Sequence, residues 1–175
     1  LTLLLSPLAL GVVLLYSYTK RFTWACHLVL GAGLGIAPTA GWIAVRGDIQ
    51  ALPLVLSLTV MLWVAGFDIL YSLQDEAFDR QHGLYSLPGR LGRAAAMRLA
   101  MVFHLGAALG FLGVGWLAGL GPLYFGAAGL AGALLLLEHA LLSPRDLSRL
   151  NHAFFTLNGL VGLVLGLATL GSVWP

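Results

Sequence analysis

The sequence predicts an all-α protein, a bundle of six helices that each cross a lipid bilayer. Hydrophobic residues make up 59% of the 175 residues and charged residues only 9%, against roughly 45–50% and about 25% in soluble domains. The mean hydropathy is +0.93. The apolar residues form continuous runs instead of alternating, which favours helices over the strands of a membrane barrel. A water-soluble globular domain is therefore excluded.

Six apolar segments come close to the roughly 20 residues that a helix needs to cross the hydrocarbon core. The linkers between them are too short to separate two domains, so we expect one transmembrane domain over residues 1–175. GxxxG pairs at 31/35, 106/110, 115/119 and 162/166 are expected to let helices of this chain pack closely. The six segments are predicted over Leu1–Tyr18, Trp24–Val45, Ala51–Leu70, Ala94–Leu117, Pro122–Leu142 and Ala153–Trp174.

Local signals delimit these segments in chain order. The first begins inside an apolar run without the features of a signal peptide. The second contains Pro38, where we expect a kink, with Thr39 bonding to the carbonyl that the proline frees. The third ends in an acidic stretch, and the fourth comes after an arginine-rich loop. The uncharged turn Gly119–Pro122 precedes the fifth, and the loop with Arg145 and Arg149 precedes the sixth.

Positive charge is distributed unequally between the two ends of the bundle. Eight of the nine Lys and Arg residues lie in or beside the loops after the first, third and fifth segments, and only Arg46 lies on the other side. Cytoplasmic loops of membrane proteins carry an excess of Lys and Arg. We therefore expect these three loops to be cytoplasmic, in an inner membrane if the source is bacterial.

Acidic residues cluster at the cytoplasmic end of the third segment. In a continuous α-helix, Asp68, Tyr71, Asp75 and Asp79 would lie within about 60° of one another. Glu76 would lie on another face and pair with Arg80. The alternative explanation is a solvated helix end that carries acids by chance. It accounts for Glu76, but it accounts poorly for the stripe of three aspartates and Tyr71 on one face.

Asp68 lies in or very near the apolar zone, where an acid costs roughly 2.5–3.5 kcal/mol to insert and suggests a functional site. Carboxylates suit Mg²⁺, which commonly shares its coordination shell with substrate phosphates. Lys20 and Arg21 lie on the same membrane face. Together these residues would form a charged pocket that holds an anion and its metal.

Other polar residues in the apolar segments have structural interpretations. His27 and His104 are expected to be packed or hydrogen-bonded, and His82 to be exposed. Glu138 and His139 are expected to cap the helix end or pair locally with Arg145, and Asn158 to bond between helices. The single cysteine, Cys26, excludes an internal disulfide.

The spacing Asp68-x-x-Tyr71-x-x-x-Asp75-x-x-x-Asp79 resembles the second aspartate-rich motif of the UbiA superfamily, the intramembrane aromatic prenyltransferases. The stretches 16–23, 83–92 and 153–159 are also similar to family features. The chain most resembles members that prenylate 4-hydroxybenzoate, with close relatives in menaquinone synthesis.

The family has nine transmembrane helices and a first motif, NDxxDxxxD, that nothing in this chain matches. The six segments correspond to the fourth through ninth helices. We therefore expect an N-terminally incomplete domain that resembles the C-terminal two-thirds of the family fold.

The resemblance implies transfer of a polyprenyl group from polyprenyl diphosphate to an aromatic acid in ubiquinone or menaquinone biosynthesis, with Mg²⁺ as cofactor. It implies neither a nucleic acid nor a protein partner. Asp75 and Asp79 would bind the metal, supported by Asp68. Tyr71 would bond to the diphosphate or stabilise the allylic cation. The substrate-binding residues would be Lys20, Arg21 and Asn158.

Two alternatives remain open at this point: a cation-coupled transporter, and a catalytically dead fragment without the first motif. A transporter needs acids near the midplane and usually broken helices in repeated halves. The acids here lie at one face beside basic residues, which favours a diphosphate. CDP-alcohol phosphatidyltransferases are disfavoured because their DG-AR pattern is absent.

Overall fold

The protein is an all-helical bundle, as the sequence predicts. A computed structural model describes residues 1–174, and six of its helical stretches are long and apolar enough to cross a membrane. A 3₁₀ turn at Ser72–Asp75 joins α3 to α4, and a π-helical turn at His152–Leu157 leads into α8. The helices are α1 Thr2–Thr19, α2 Cys26–Arg46, α3 Ala51–Tyr71, α4 Glu76–Gln81, α5 Leu87–Leu91, α6 Arg93–Leu117, α7 Pro122–Leu141 and α8 Asn158–Val173.

The spans pack in chain order, α1 on α2, α2 on α3, α3 on α6, α6 on α7 and α7 on α8. Each span crosses the membrane in the direction opposite to the span before it, so alternate loops meet at the same end of the bundle. Helix α3 lies at the centre, because it packs against α2 and α6 and also touches the π-helical turn. Residues far apart along the chain can therefore meet at the end of α3 that carries the acidic stretch.

Glycines set the closest of these contacts. A Cβ on Gly31 would collide with the carbonyl of Met61, and one on Gly35 would lie 2.7 Å from the carbonyl of Ser57. A Cβ on Gly110 would collide with Thr59. The 31/35 and 106/110 pairs thus serve packing within the chain, as predicted. The 162/166 pair does not, since a Cβ at Gly166 would meet nothing within 4 Å.

One of the two hydrophobic clusters surrounds the end of α3 that carries the acids. Ile69 and Leu73 are fully buried there against Ala96 and Ala100 of α6 and Leu150 of the loop after α7. This packing fixes the α3 end relative to α6. Any site built on the acidic stretch is therefore held by a rigid base.

The predicted role of Thr39 is wrong. Helix α2 runs through Pro38 as one helix, and the Thr39 hydroxyl donates instead to the carbonyl of Pro53, at 3.1 Å. It also lies 2.6 Å from the Ser57 hydroxyl. Thr39 thus links α2 to α3, because the neighbouring helix offers closer partners than its own backbone.

Candidate active site

The acidic stretch is not one continuous α-helix. Between α3 and α4 the chain makes the 3₁₀ turn Ser72–Asp75. A 3₁₀ helix turns about 120° per residue instead of about 100°, so its four residues rotate the start of α4 by about 80°. The single stripe expected from the sequence is therefore divided. Asp75 and Asp79 face one partner, while Asp68 and Tyr71 face others.

Lys20 brings Asp75 and Asp79 together. Its Nζ lies 3.2 Å from Oδ2 of Asp79 and 3.5 Å from Oδ2 of Asp75. The Asp79 side chain is 1% exposed, whereas that of Asp75 is 45% exposed. We call these three residues the lysine–carboxylate cluster. It combines a buried carboxylate, an accessible carboxylate and a partly accessible ammonium.

The cluster keeps Lys20 charged. Burial alone lowers the pKa of the ammonium, but the charge of Asp79, its hydrogen bond and the charge of Asp75 outweigh that effect. The pKa of Lys20 is therefore raised above its usual 10.5. A permanent cation at this position can receive an anionic ligand.

A folded connection after the motif supports the Lys20 loop. The Tyr85 N–H donates to the Lys20 carbonyl at 2.7 Å, and the Arg90 guanidinium lies 3.5 Å from the ring centre of Trp24. Arg21 points elsewhere, 5.6 Å from the ring centre of Tyr18, and is exposed. Sequence reasoning gave Trp24, Tyr85 and Arg90 no part in the site, although two of them lie in the 83–92 stretch that resembles the family.

Asp68 pairs with a buried histidine of α2. Its Oδ2 lies 2.6 Å from Nδ1 of His27, whose side chain is fully buried. The other ring nitrogen of His27 accepts from the N–H of Leu87 at 3.4 Å. The prediction of a hydrogen-bonded His27 is confirmed. Asp68 therefore links α3 to α2 through His27, and His27 in turn links both helices to the start of α5.

Glu76 makes the predicted ion pair with Arg80, at 3.1 Å. It also accepts from Nε of Arg93 at 2.9 Å. Glu76 thus belongs to the scaffold that joins α4 to α6. His82 is exposed, as predicted.

Tyr71, at the end of α3, faces the π-helical turn His152–Leu157, on which Phe154 lies. The ring centres of Tyr71 and Phe154 lie 4.3 Å apart, and those of Phe67 and Phe154 lie 5.3 Å apart. These three side chains form an aromatic face that adjoins the acidic stretch. Sequence reasoning missed the two phenylalanines, because an aromatic residue in a membrane helix carries no signal of its own.

Asn158 bonds between helices, as the sequence predicts. Its Oδ1 accepts from Nε1 of Trp63 at 2.6 Å, and its Nδ2 donates to Oε1 of Glu138 at 3.0 Å. The expected pairing of Glu138 with Arg145 is wrong, because the glutamate is 1% exposed and turned into the bundle. His104 is also buried, and its Nδ1 lies 3.1 Å from Nε2 of His139.

The sequence matches a known protein family. The model of the UbiA prenyltransferase family matches residues 1–160 of the chain. The chain belongs to this family. The resemblance seen in the aspartate motif is thus confirmed over most of its length.

Curated UbiA relatives match nearly the whole chain. The 4-hydroxybenzoate octaprenyltransferases of Salmonella paratyphi C (strain RKS4594) and Salmonella newport (strain SL254) are each 32% identical to it over 174 residues. The match covers 99% of this chain but 59% of each relative. The chain therefore spans less than two thirds of the length of these enzymes.

A solved UbiA structure has the same fold. The apo structure of a UbiA homolog from Aeropyrum pernix K1 superposes with a TM-score of 0.87 at 33% sequence identity. The superposition covers 98% of this chain and 64% of that one. The six-helix bundle is therefore a UbiA-type arrangement.

UbiA prenyltransferases are generally dependent on a divalent metal. Among residues 1–174, no three His, Cys, Asp or Glu side chains are grouped so that they could hold one. Asp75 and Asp79 nevertheless converge on one cation, the Lys20 ammonium. One or two carboxylates completed by substrate phosphates are a usual donor set for Mg²⁺. These two residues fit the protein's part of such a site when the Lys20 ammonium turns from them to the substrate phosphates, whereas Asp68 is paired with the fully buried His27.

Proposed function

We propose that this chain transfers a polyprenyl group from polyprenyl diphosphate to an aromatic acid of the 4-hydroxybenzoate type, in ubiquinone or menaquinone biosynthesis. The observation that carries the proposal is the lysine–carboxylate cluster at one end of an apolar bundle. Such a cluster suits a substrate with a charged head and a long apolar tail. The names of the curated relatives, which match 99% of the chain, support this substrate pair.

The charged residues would act on the diphosphate. Asp75 and Asp79 would hold a Mg²⁺ ion, which when bound stabilises negative charge on the leaving diphosphate. The Lys20 ammonium would contact the diphosphate oxygens, and Arg21 would add positive charge at the same membrane surface. Because Lys20 is held by Asp79, it is already oriented before substrate arrives.

The bond changes are those of an ionisation and a ring attack. The C–O bond to the diphosphate breaks, and its electron pair leaves with the diphosphate. The allylic carbon then accepts an electron pair from a ring carbon of the phenolic acid, and that ring carbon loses its proton. The ring faces of Tyr71 and its aromatic neighbours would stabilise the cationic carbon. Asp68 would support the site through His27.

The same proposal assigns the site to a membrane surface. The lysine–carboxylate cluster would lie on the cytoplasmic side of a bacterial inner membrane, because the loops at that end hold eight of the nine Lys and Arg residues. Polyprenyl diphosphate could then lie with its head at the cytoplasmic interface and its tail among the helices.

The direct test is prenyl transfer in membranes that contain this chain. A radiolabelled polyprenyl diphosphate, 4-hydroxybenzoate and Mg²⁺ are supplied, and prenylated product is measured with and without EDTA. A dihydroxynaphthoate in place of 4-hydroxybenzoate tests the acceptor class. The Salmonella paratyphi C relative serves as the positive control. We expect product that EDTA abolishes.

Two variants make the test specific. Asp75→Asn should abolish turnover by removing a metal ligand, whereas Asp146→Asn should not, because Asp146 lies exposed in the loop after α7. Full activity of Asp75→Asn would reject the metal role. An inactive chain beside an active relative would reject the proposal for this chain and favour the catalytically dead alternative.

A further inference from the structure

The π-helical turn before α8 is held by one side chain. Such turns are rare, appear mostly as single turns and are frequent at functional sites. The turn at His152–Leu157 immediately precedes Asn158, whose Nδ2 donates to the carbonyl of Phe154 at 3.0 Å and lies 3.5 Å from that of Ala153. Asn158 therefore satisfies backbone groups that a regular α-helix would pair internally.

The Asn158 amide has no hydrogen to offer a substrate. A side-chain amide has two N–H donors and a carbonyl acceptor. The two N–H groups have acceptors in Oε1 of Glu138 and the carbonyl of Phe154, and the oxygen accepts from Nε1 of Trp63. Asn158 is thus tied to α3 through Trp63 and to α7 through Glu138.

These bonds fix the position of Phe154. The residue lies on the π-helical turn, and its ring lies 4.3 Å from that of Tyr71 and 5.3 Å from that of Phe67. Tyr71 is the last residue of α3, and Asp75 ends the 3₁₀ turn that follows it, so the aromatic face and the lysine–carboxylate cluster lie at the same end of the bundle. A regular helix in place of the π-helical turn would move Phe154 away from Tyr71, because the turn contains an additional residue.

We propose that Trp63, Glu138 and Asn158 form a clamp that holds Phe154 against Tyr71 and shields the allylic carbon from water. Asn158 is then a positioning residue and not a substrate ligand. This proposal rests on the proposed prenyl transfer. Water exclusion matters here because an allylic cation reacts with any nucleophile that reaches it.

The fate of the allylic carbon reports on this shielding. After the C–O bond breaks, the carbon accepts an electron pair either from the aromatic ring or from a water oxygen. The first path gives the prenylated acid, the second a prenyl alcohol, and each releases one proton. Once the alcohol formed by membranes without this chain is subtracted, the ratio of alcohol to prenylated acid does not depend on how much enzyme is folded.

The experiment compares this ratio in membranes with the parent chain, Asn158→Leu and Trp63→Phe. We expect Asn158→Leu to raise the alcohol fraction by about fivefold or more, as loss of a buried hydrogen-bond partner implies. The KM for the diphosphate should stay near the parent value, since the lysine–carboxylate cluster is intact. Trp63→Phe should have a smaller effect in the same direction.

Two further variants separate positioning from general destabilisation. Glu138→Gln keeps an acceptor for the Asn158 amide and should stay near the parent ratio. Thr169→Ala removes a hydroxyl that donates to Leu165 within α8 at 2.7 Å, and it should leave the ratio unchanged. An unchanged ratio in Asn158→Leu, or an equal rise in Thr169→Ala, would overturn the clamp.

A second readout needs no turnover. In a Cys26→Ser background, Tyr71→Cys and Phe154→Cys are combined, and the membranes are treated with a short bis-maleimide, because two rings in contact need not have their Cα atoms within disulfide range. We expect the crosslink to form with Asn158 present and to be largely lost with Asn158→Leu. Equal yields would overturn the clamp. Loss of the crosslink in Asn158→Leu, together with no prenyl transfer by the parent chain, would support the clamp and reject the proposed function.

Discussion

Lys20 touches two carboxylates, and its substitution tests the charge of the cluster directly. Lys20→Met keeps a long, unbranched side chain at this position but removes its positive charge. We expect the KM for the polyprenyl diphosphate to rise by about tenfold or more, because a hydrogen bond to a charged group contributes about 1.5–3 kcal/mol. Steady-state kinetics measure it. Arg149→Gln, an exposed change in another basic loop, is the control, and an unchanged KM in Lys20→Met would limit Lys20 to topology.

The same residue gives a pH dependence of stability. The pKa of Lys20 is raised in the folded protein above its usual 10.5. Its contribution is therefore complete below pH 10.5 and is lost as the pH rises through the folded value. We expect the difference in thermal stability between the parent and Lys20→Met to be constant at neutral pH and to shrink only above pH 10.5. Thermal unfolding in detergent measures this difference, and a loss already at neutral pH would contradict the assignment.

His27 and Asp68 form a buried pair whose loss should be costly. Removing one partner leaves the other uncompensated, so His27→Ala should lower the free energy of unfolding by about 3 kcal/mol. The double variant His27→Ala/Asp68→Ala should cost less than the sum of the single variants, because the two residues are coupled. Denaturant unfolding in detergent measures both. His82→Ala, at an exposed histidine, is the control, and additive single effects would contradict the pairing.

At the scale of helices, the approach of α2 to α3 depends on the absence of a side chain at position 31. In Gly31→Ala the new Cβ would collide with the Met61 carbonyl, which belongs to the backbone and cannot rotate away. We expect a lower thermal stability. Gly41→Ala, in the same helix with nothing within 4 Å of its Cβ, should be neutral or stabilising, since Ala favours a helix over Gly by up to about 1 kcal/mol. Equal effects of the two variants would contradict close packing at Gly31.

The helices were predictable, whereas the turns that orient the site were not. Hydropathy located all six spans, because each must satisfy its backbone inside lipid with apolar side chains outside. The 3₁₀ turn at Ser72–Asp75 and the π-helical turn at His152–Leu157 have no comparable signal. Each turn changes the direction in which the side chains after it point. An α-helix with a uniform 100° per residue therefore wrongly predicts that Asp68 and Asp75 lie on the same face.

At the scale of the whole molecule, contacts between distant residues limited prediction of the site. His27 and Asp68 are 41 residues apart, and Trp63 and Asn158 are 95 apart. The residue types were recognisable as unusual in apolar helices, but their partners depend on which helices are neighbours. Local pairs such as Glu76 and Arg80 were predictable, because helix geometry alone brings them together.

The whole molecule also makes a prediction about orientation in the membrane. In a Cys26→Ser background, which removes the one cysteine, Asp48→Cys and Ser148→Cys introduce thiols at exposed positions. Three spans separate them, α3, α6 and α7, so they lie on opposite sides of the membrane. Because the loop with Ser148 is basic, we expect it to be cytoplasmic. A membrane-impermeant maleimide should label Asp48→Cys in intact spheroplasts and Ser148→Cys only after lysis. The reverse pattern would turn the lysine–carboxylate cluster to the outer surface and contradict the cytoplasmic site.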